Sequence, residues 1–191
     1  LLLSGPPGVG KTLWAKACAN TAGLPLIATS VSDWHATKHL GDTLKAIRTC
    51  FAEARAKKPS ILFVDEIDGI SSRARISDRY AEYYVQIINL VLEELQGASE
   101  TTEGVVVIAA TNLPDRIDPA ILRSGRLDHH IAIGMPDHTD LVGIYRYCIG
   151  DGSIDEEAVS RLAASSIGST GADVDAYIRR ARSAARRKGE T

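Results

Sequence analysis

Eight consecutive residues, Gly5 to Thr12, read "GPPGVGKT", and their types and spacing suit the binding of a nucleotide's phosphates. Gly5, Gly8 and Gly10, with Pro6, Pro7 and Val9 between them, let backbone N–H groups turn inward around phosphate oxygens. Lys11 then reaches the β and γ phosphates, Thr12 offers a hydroxyl to Mg²⁺, and Leu13 follows within the same binding segment. A second segment, "ILFVDEID", sets Asp65 and Glu66 side by side at the end of an apolar run. Asp65 suits holding the magnesium ion through water, and Glu66 suits orienting and deprotonating an attacking water. Further along, "AATN" ends on Asn112, whose amide can bond that water or sense the γ phosphate. "LPDRIDPAILRSGRLD" carries Arg123 and Arg126 in one short stretch. An arginine presented to a γ phosphate stabilises the transition-state charge and is worth about 10³ to 10⁵ in rate.

These residues need a scaffold that brings distant segments together, and the hydrophobic pattern predicts one. The phosphate loop lies between an apolar strand, "LLLSG", and a helix for which Leu13, Ala17 and Ala19 are candidates for the buried side. "LPLIATS", "SILFVDEID" and "GVVVIAATN" read as further strands, the last two as continuous apolar runs of the kind buried on both faces. Between them, residues 42–56 place Leu44, Ile47, Phe51 and Ala54 at helical spacing. Residues 79–96 do the same with Tyr84, Ile88, Val91, Leu92 and Leu95, and Gly97 is expected to end that helix. Strands alternating with amphipathic helices predict an α/β fold: a parallel sheet flanked by helices, spanning 1–135. Helical patterns near 138–149, 155–165 and 172–188 predict a small helical lid domain over 136–191.

Composition narrows the function classes. The chain has 191 residues, a formal net charge of −2 and 45% hydrophobic residues, which argues against a disordered or strongly cationic protein. Cys18, Cys50 and Cys148 fall in no metal-binding spacing and suit a reducing compartment as core thiols. No run approaches the roughly 18 apolar residues of a membrane span. The chain opens on "LLLSG" without methionine, so a longer parent protein is expected; the location expected is cytoplasmic, or the cytoplasmic face of a membrane if that parent is anchored.

Taken in order, "GPPGVGKT", "ILFVDEID", "AATNLPDRIDPAILRSGRLD" and "STGADV" closely resemble the AAA ATPase family, the third segment matching its second region of homology. The resemblance implies five strands in the parallel sheet, and ATP and Mg²⁺ as cofactors. It also implies a homo-oligomeric ring, usually a hexamer, in which Arg123 and Arg126 complete a neighbour's site. Asn112 would be the first sensor, and Gly171 and Ala172 would line the nucleotide. His39, Leu40 and Gly41 fall where the family places an aromatic residue, an aliphatic residue and glycine, and so would line a central pore that grips protein. A neutral imidazole offers less flat apolar surface than an aromatic ring, so the grip is expected to be weaker. Trp34 could lend surface there or pack in the core, and "SSRARISDR" with Arg73, Arg75 and Arg79 is a second pore segment or a solvated loop. The chain departs from the family in two places: "GRLDH" puts His129 where the family has arginine, and the lead-in that touches adenine is absent. Segment spacing looks most like the ATPase module of FtsH-type zinc proteases, although the HExxH of such a peptidase does not occur in these 191 residues.

The resulting expectation is an ATP hydrolase that remodels or threads protein substrates, with membrane contact only through segments outside this chain. Two other classes stay open. A nucleic-acid motor or loader would rely on "YIRRARSAARRKGE", whose arginines are spread around a helix in a slightly acidic chain, which argues against nucleic acid as a partner. A scaffold that binds ATP with little turnover would not need the intact Lys11, Asp65, Glu66, Asn112 and both arginines.

Overall fold

The computed structural model describes residues 1–36, 39–70, 81–100, 104–150 and 155–189. It divides into two compact units, Leu1–Gly5 with Lys11–Ala132, and Pro6–Gly10 with Ile133–Thr191.

In the first unit five strands form one parallel sheet: β1 (Leu2–Ser4), β2 (Leu26–Ser30), β3 (Ser60–Asp65), β4 (Val105–Thr111) and β5 (His130–Ala132), in the spatial order β2-β3-β4-β1-β5. Side chains alternate across a strand, and the core divides accordingly. Leu62 and Val64 of β3, with Leu2 and Ala109, join one apolar cluster, while Ile61 and Phe63, with Leu3, Ile108 and Ala110, join the other. The larger cluster is covered by α2 (Val31–Trp34), α3 (Leu40–Ala56) and α4 (Ala81–Glu100) through Ile47, Phe51, Ile88, Val91 and Leu95. The smaller cluster is covered by α1 (Lys11–Ala22) through Ala15 and Ala19. β1, β3 and β4 therefore carry apolar side chains on both faces, which produces the continuous hydrophobic runs of β3 and β4.

Two details differ from the sequence-based expectation, at Leu13 with Ala17 and at Gly97, and one open alternative, at Trp34, is resolved toward the core. Leu13 is 54% exposed and Ala17 is exposed, because α1 approaches the sheet on its alanine face at Ala15 and Ala19, where small side chains allow close packing. The helix α4 continues through Gly97 to Glu100. A glycine stops a helix when it turns left-handed, and inside a helix it costs only about 1 kcal/mol against alanine. Trp34 is 2% exposed and packs with Val31, Ile47 and Phe51 in the larger core. Of the two readings left open for Trp34, the core is the one it occupies.

The second unit is built on α5 (His138–Ile149), α6 (Glu156–Ser165) and α7 (Gly171–Lys188). Its core is Leu141, Tyr145, Val159, Ala163 and Val174. Each helix has a side-chain N-cap: Asp137 and Thr170 form reciprocal capping boxes with Asp140 and Asp173, and Asp155 accepts from the N–H groups of Glu157 and Ala158. The Thr170 N–H and hydroxyl hold the Asp173 carboxyl below its ordinary pKa.

Candidate functional site

In the first unit, three chemically distinct segments meet at the ends of β1, β3 and β4. Register explains the meeting, since Leu3 lies beside Ala110 and Val64 beside Ala109, so the strands finish at neighbouring positions. Gly5 N–H donates to the carbonyl of Thr111, holding the exit from β1 against the end of β4.

Lys11 begins α1 and is only 7% exposed. Its Nζ donates to the Gly5 carbonyl at 2.8 Å and to Asn112 Oδ1 at 2.7 Å. Burial lowers the pKa of this ammonium, while the Asp65 and Asp68 carboxylates pull it back up. Lys11 is thus a cation held largely out of water and balanced by fixed acceptors, a state that favours exchange of those acceptors for phosphate oxygens. Because the Asn112 carbonyl end is engaged, its NH₂ end is left as the donor face of the exposed side chain.

Next to this lysine, Thr12 Oγ1 donates to Asp65 Oδ2 at 3.0 Å. A hydroxyl and one carboxylate are hard oxygen donors of the kind that hold Mg²⁺ when phosphates and waters supply the other ligands. Among the described residues no group of three or more His, Cys, Asp or Glu could hold a metal, so a cage made wholly of protein carboxylates is not what this pair offers.

Glu66 immediately follows β3. Its backbone is left-handed, φ 55° and ψ 40°, and it is the sole described non-glycine residue with positive φ. Its N–H donates to Asp65 Oδ1 at 2.9 Å, and its carbonyl accepts from Gly69 N–H across the 3-10 turn Ile67–Gly69. The turn aims consecutive carboxylates differently: Asp65 is tied to Thr12, and Glu66 is exposed. Such a conformation costs about 1–3 kcal/mol and separates the two acids that the sequence sets side by side.

Two residues absent from the sequence-based expectation join this network. Thr111, 1% exposed at the end of β4, donates its hydroxyl to Asp68 Oδ1 at 2.5 Å and accepts from Leu113 N–H at 2.9 Å. Asp68 stands within the motif itself, and Thr111 directly precedes Asn112, so their positions were legible although their pairing was not.

The expected arginines behave differently from each other. Arg126 is half-buried and donates to the Ala120 carbonyl at 2.8 Å and to Gln96 Oε1 at 3.3 Å. Arg123 is exposed. Where the family motif ends in arginine, His129 Nδ1 lies 2.9 Å from Asp128 Oδ1. That contact, with the Gly125 N–H, holds the Asp128 carboxyl below its ordinary pKa. His129 is also tied by its backbone, whose carbonyl accepts from Leu2 N–H at 2.7 Å.

His39 is the N-cap of α3 and exposed; Leu40 and Gly41 are the first two residues of that helix, with Leu40 leaning on the larger core. Of the expected gripping triplet, His39 and Gly41 are accordingly the exposed members. Arg73, Arg75 and Arg79 lie outside the described residues.

In the second unit, Pro6–Gly10 of the phosphate loop packs with the start of α7. The Gly8 carbonyl accepts from Ala172 N–H at 3.2 Å. Gly8 has φ +82°, and a Cβ there would come within 2.6 Å of Thr170 Oγ1, so only glycine fits. Gly171 and Ala172, expected beside the nucleotide, touch the loop itself. On α7, Arg179, Arg182, Ser183, Arg186 and Arg187 line a groove. Within it Arg182 caps the carbonyls of Cys148 and Ile149, and Arg179 pairs with Asp175. Two of the four arginines are therefore already committed inside the unit.

A family model for the ATPase family associated with various cellular activities (AAA) matches residues 1–135. The chain belongs to the AAA family. Its AAA relatives include "ATP-dependent zinc metalloprotease FtsH 3" of Sphaerobacter thermophilus, 41% identical over 190 residues, 99% of this chain and 38% of the relative. "Cell division cycle protein 48 homolog" of Archaeoglobus fulgidus is 40% identical over 183 residues, 95% of this chain and 24% of the relative. "Nuclear valosin-containing protein-like" of Mus musculus is 39% identical over 187 residues, 95% and 21%. The chain thus spans between about a fifth and two fifths of these relatives' lengths. The expected likeness to the ATPase module of FtsH-type proteins holds over the whole chain, and membership carries with it the class of ATP hydrolase.

Proposed function

We propose that this chain is the ATP-binding and ATP-hydrolysing AAA module of a ring oligomer, probed most directly as a hexamer, that remodels or threads protein substrates. The observation carrying this reading is the bridging ammonium of Lys11, held between Gly5 and Asn112 beside the Thr12–Asp65 pair. When nucleotide arrives, phosphate oxygens replace Gly5 and Asn112 as acceptors for Lys11. The backbone of Gly5, Pro6, Pro7, Gly8, Val9 and Gly10 surrounds those phosphates, and Leu13 adjoins them at the start of α1. Thr12 and Asp65 fit Mg²⁺, which supplies charge neutralisation on the phosphates. Glu66 accepts a proton from the attacking water as its oxygen bonds to the γ phosphorus and the bond to the ADP oxygen breaks. Asn112, released from Lys11, donates its NH₂ to that water or to the γ phosphate. Arg123 and Arg126 complete a neighbouring subunit's site.

The domain division at 135/136 belongs to this proposal, with the helical lid transmitting the loop's state through the Gly8–Ala172 contact. His39, Leu40 and Gly41 line the pore, and the partners are identical subunits and protein substrate rather than nucleic acid. No helix among the described residues is long and apolar enough to cross a membrane. A cytoplasmic setting, with any membrane contact made by segments outside this chain, completes the reading.

The test is ATP hydrolysis per subunit against protein concentration on the full-length protein. Specific activity that climbs with concentration, and falls when Arg126→Ala subunits are mixed in, supports sites shared between subunits. Activity flat in concentration and indifferent to mixing overturns the ring, and tight ATP binding without turnover returns the scaffold.

A further inference from the structure

The Thr111 hydroxyl makes two hydrogen bonds that flank Asn112 on both sides. It donates to Asp68, on the turn that follows Glu66, and accepts from the N–H of Leu113, the residue after Asn112. The second bond closes a short turn around Asn112, mimicking a backbone turn with a side chain. The first fastens that turn to the segment carrying the catalytic acid. At 2.5 Å it lies in the range of strong, charge-assisted O–H···O⁻ bonds. Thr111 is 1% exposed, so water cannot replace either partner cheaply.

We infer that Asp68 and Thr111 form a positioning pair that fixes Asn112 relative to Glu66 and so sets the rate of hydrolysis rather than the affinity for nucleotide. The inference rests on the ATPase reading of the same site. Neither residue touches phosphate in this account. Asp68 anchors the turn at Ile67–Gly69, whose first hydrogen bond begins at the Glu66 carbonyl, and Thr111 transfers that anchorage to the backbone on either side of Asn112. A water held between Glu66 and Asn112 has both of its contacts placed by one hydroxyl. Losing the hydroxyl leaves Lys11, Thr12 and Asp65 in place, which is why binding is spared.

The test compares kcat, KM and the Kd for a fluorescent ATP analogue in the full-length protein carrying Thr111→Val, Thr111→Ser or Asp68→Asn. Each is made with and without Asn112→Ala, and thermal unfolding is followed alongside. Thr111→Val is expected to lower kcat about 10- to 100-fold, the worth of a hydrogen bond to a charged group, with KM and Kd within about threefold. Thr111→Ser restores the hydroxyl and most of kcat. Asp68→Asn keeps an acceptor oxygen without the charge and loses about tenfold or less. In the Asn112→Ala background, Thr111→Val costs less than about twofold more, because a residue acting through Asn112 has nothing left to position. Losses that multiply in the double variant, a serine variant as poor as the valine one, or a change confined to KM each overturn the pair. Should Thr111→Val fail to fold, the Asp68→Asn cycle with Asn112→Ala decides on the same criterion. A wild type that binds ATP without turning it over overturns the ATPase reading beneath; an active wild type with an unimpaired valine variant overturns only the pair.

Discussion

Lys11 Nζ and Asn112 Oδ1 lie 2.7 Å apart across 101 residues of sequence, joining the start of the first helix to the end of the fourth strand. On the proposed reading, the lysine that meets phosphate and the asparagine that senses it are thus bonded directly to each other. Asn112→Ala removes that acceptor and the donor that replaces it after binding. The expected result is a fall in kcat of about 10- to 100-fold with a smaller change in nucleotide Kd. Single-turnover hydrolysis alongside equilibrium binding measures the two separately, and equal losses in both would count against a sensor.

Glu66→Gln keeps the size of the side chain and removes its proton-accepting charge. Nucleotide binding should be within about threefold of wild type while hydrolysis falls about 10²- to 10⁴-fold, the usual worth of a positioned general base. Retained turnover above a tenth of wild type would move the role of base elsewhere.

The two arginines are expected to separate by stability. Arg126 is fastened to Ala120 and Gln96, so Arg126→Ala should lower Tm by about 2–8 °C, equivalent to roughly 1–2 kcal/mol at this chain length. Arg123→Ala removes an exposed side chain and should leave Tm within about 1 °C. If both approach a γ phosphate in a neighbouring subunit, each still lowers kcat, by up to about 10³-fold or more. Calorimetry with ATPase assays on the same preparations distinguishes the structural part from the catalytic part.

Trp34 and His39 make a contrasting pair. Trp34→Ala empties a core position and is expected to cost about 3–5 kcal/mol, seen as a large drop in the denaturation midpoint. His39→Ala alters an exposed cap residue whose side chain makes no capping bond, so stability should change by about 0.5 kcal/mol or less. A pore role at His39 then appears as slower protein unfolding at unchanged ATP turnover. His39→Phe should speed it, and no change in either variant would remove His39 from the pore.

His35 supplies a pH dependence. Its ring contacts Tyr83 and Tyr84, its Nδ1 lies 3.3 Å from the Tyr83 hydroxyl, and its Nε2 is buried without a partner. Burial lowers its pKa from the ordinary value of 6.5. The unfolded chain therefore binds this proton more readily than the folded one. The contribution to stability is complete above pH about 6.5 and declines as pH falls from there through the folded-state pKa. Unfolding by denaturant between pH 5 and 8 should show a decline that His35→Gln flattens; an identical slope in the variant would assign it to other groups.

How far the molecule can be read without coordinates depends on the range of the signal. β3 was legible because both of its faces are buried, and β4 because those of its second half are, leaving uninterrupted apolar runs. The three helices of the second unit were legible because polarity repeats at helical spacing and capping residues stand at their starts. Leu13 misled because α1 buries alanines, whose weak hydrophobicity does not mark a face. The Asp68–Thr111 bond joins residues 43 apart and follows from strand register, which no local pattern encodes. His130 facing Ser4 at 2.6 Å is another case, produced only by the pairing of β1 with β5.

The left-handed backbone of Glu66 sets durability against chemistry at a single codon. Glycine or asparagine would sit there with less strain, so a search for heat-resistant variants made without an activity screen is drawn toward replacing this residue. On the role proposed for Glu66, the sturdiest descendants of such a search would be silent machines, and keeping the glutamate requires selection for turnover itself.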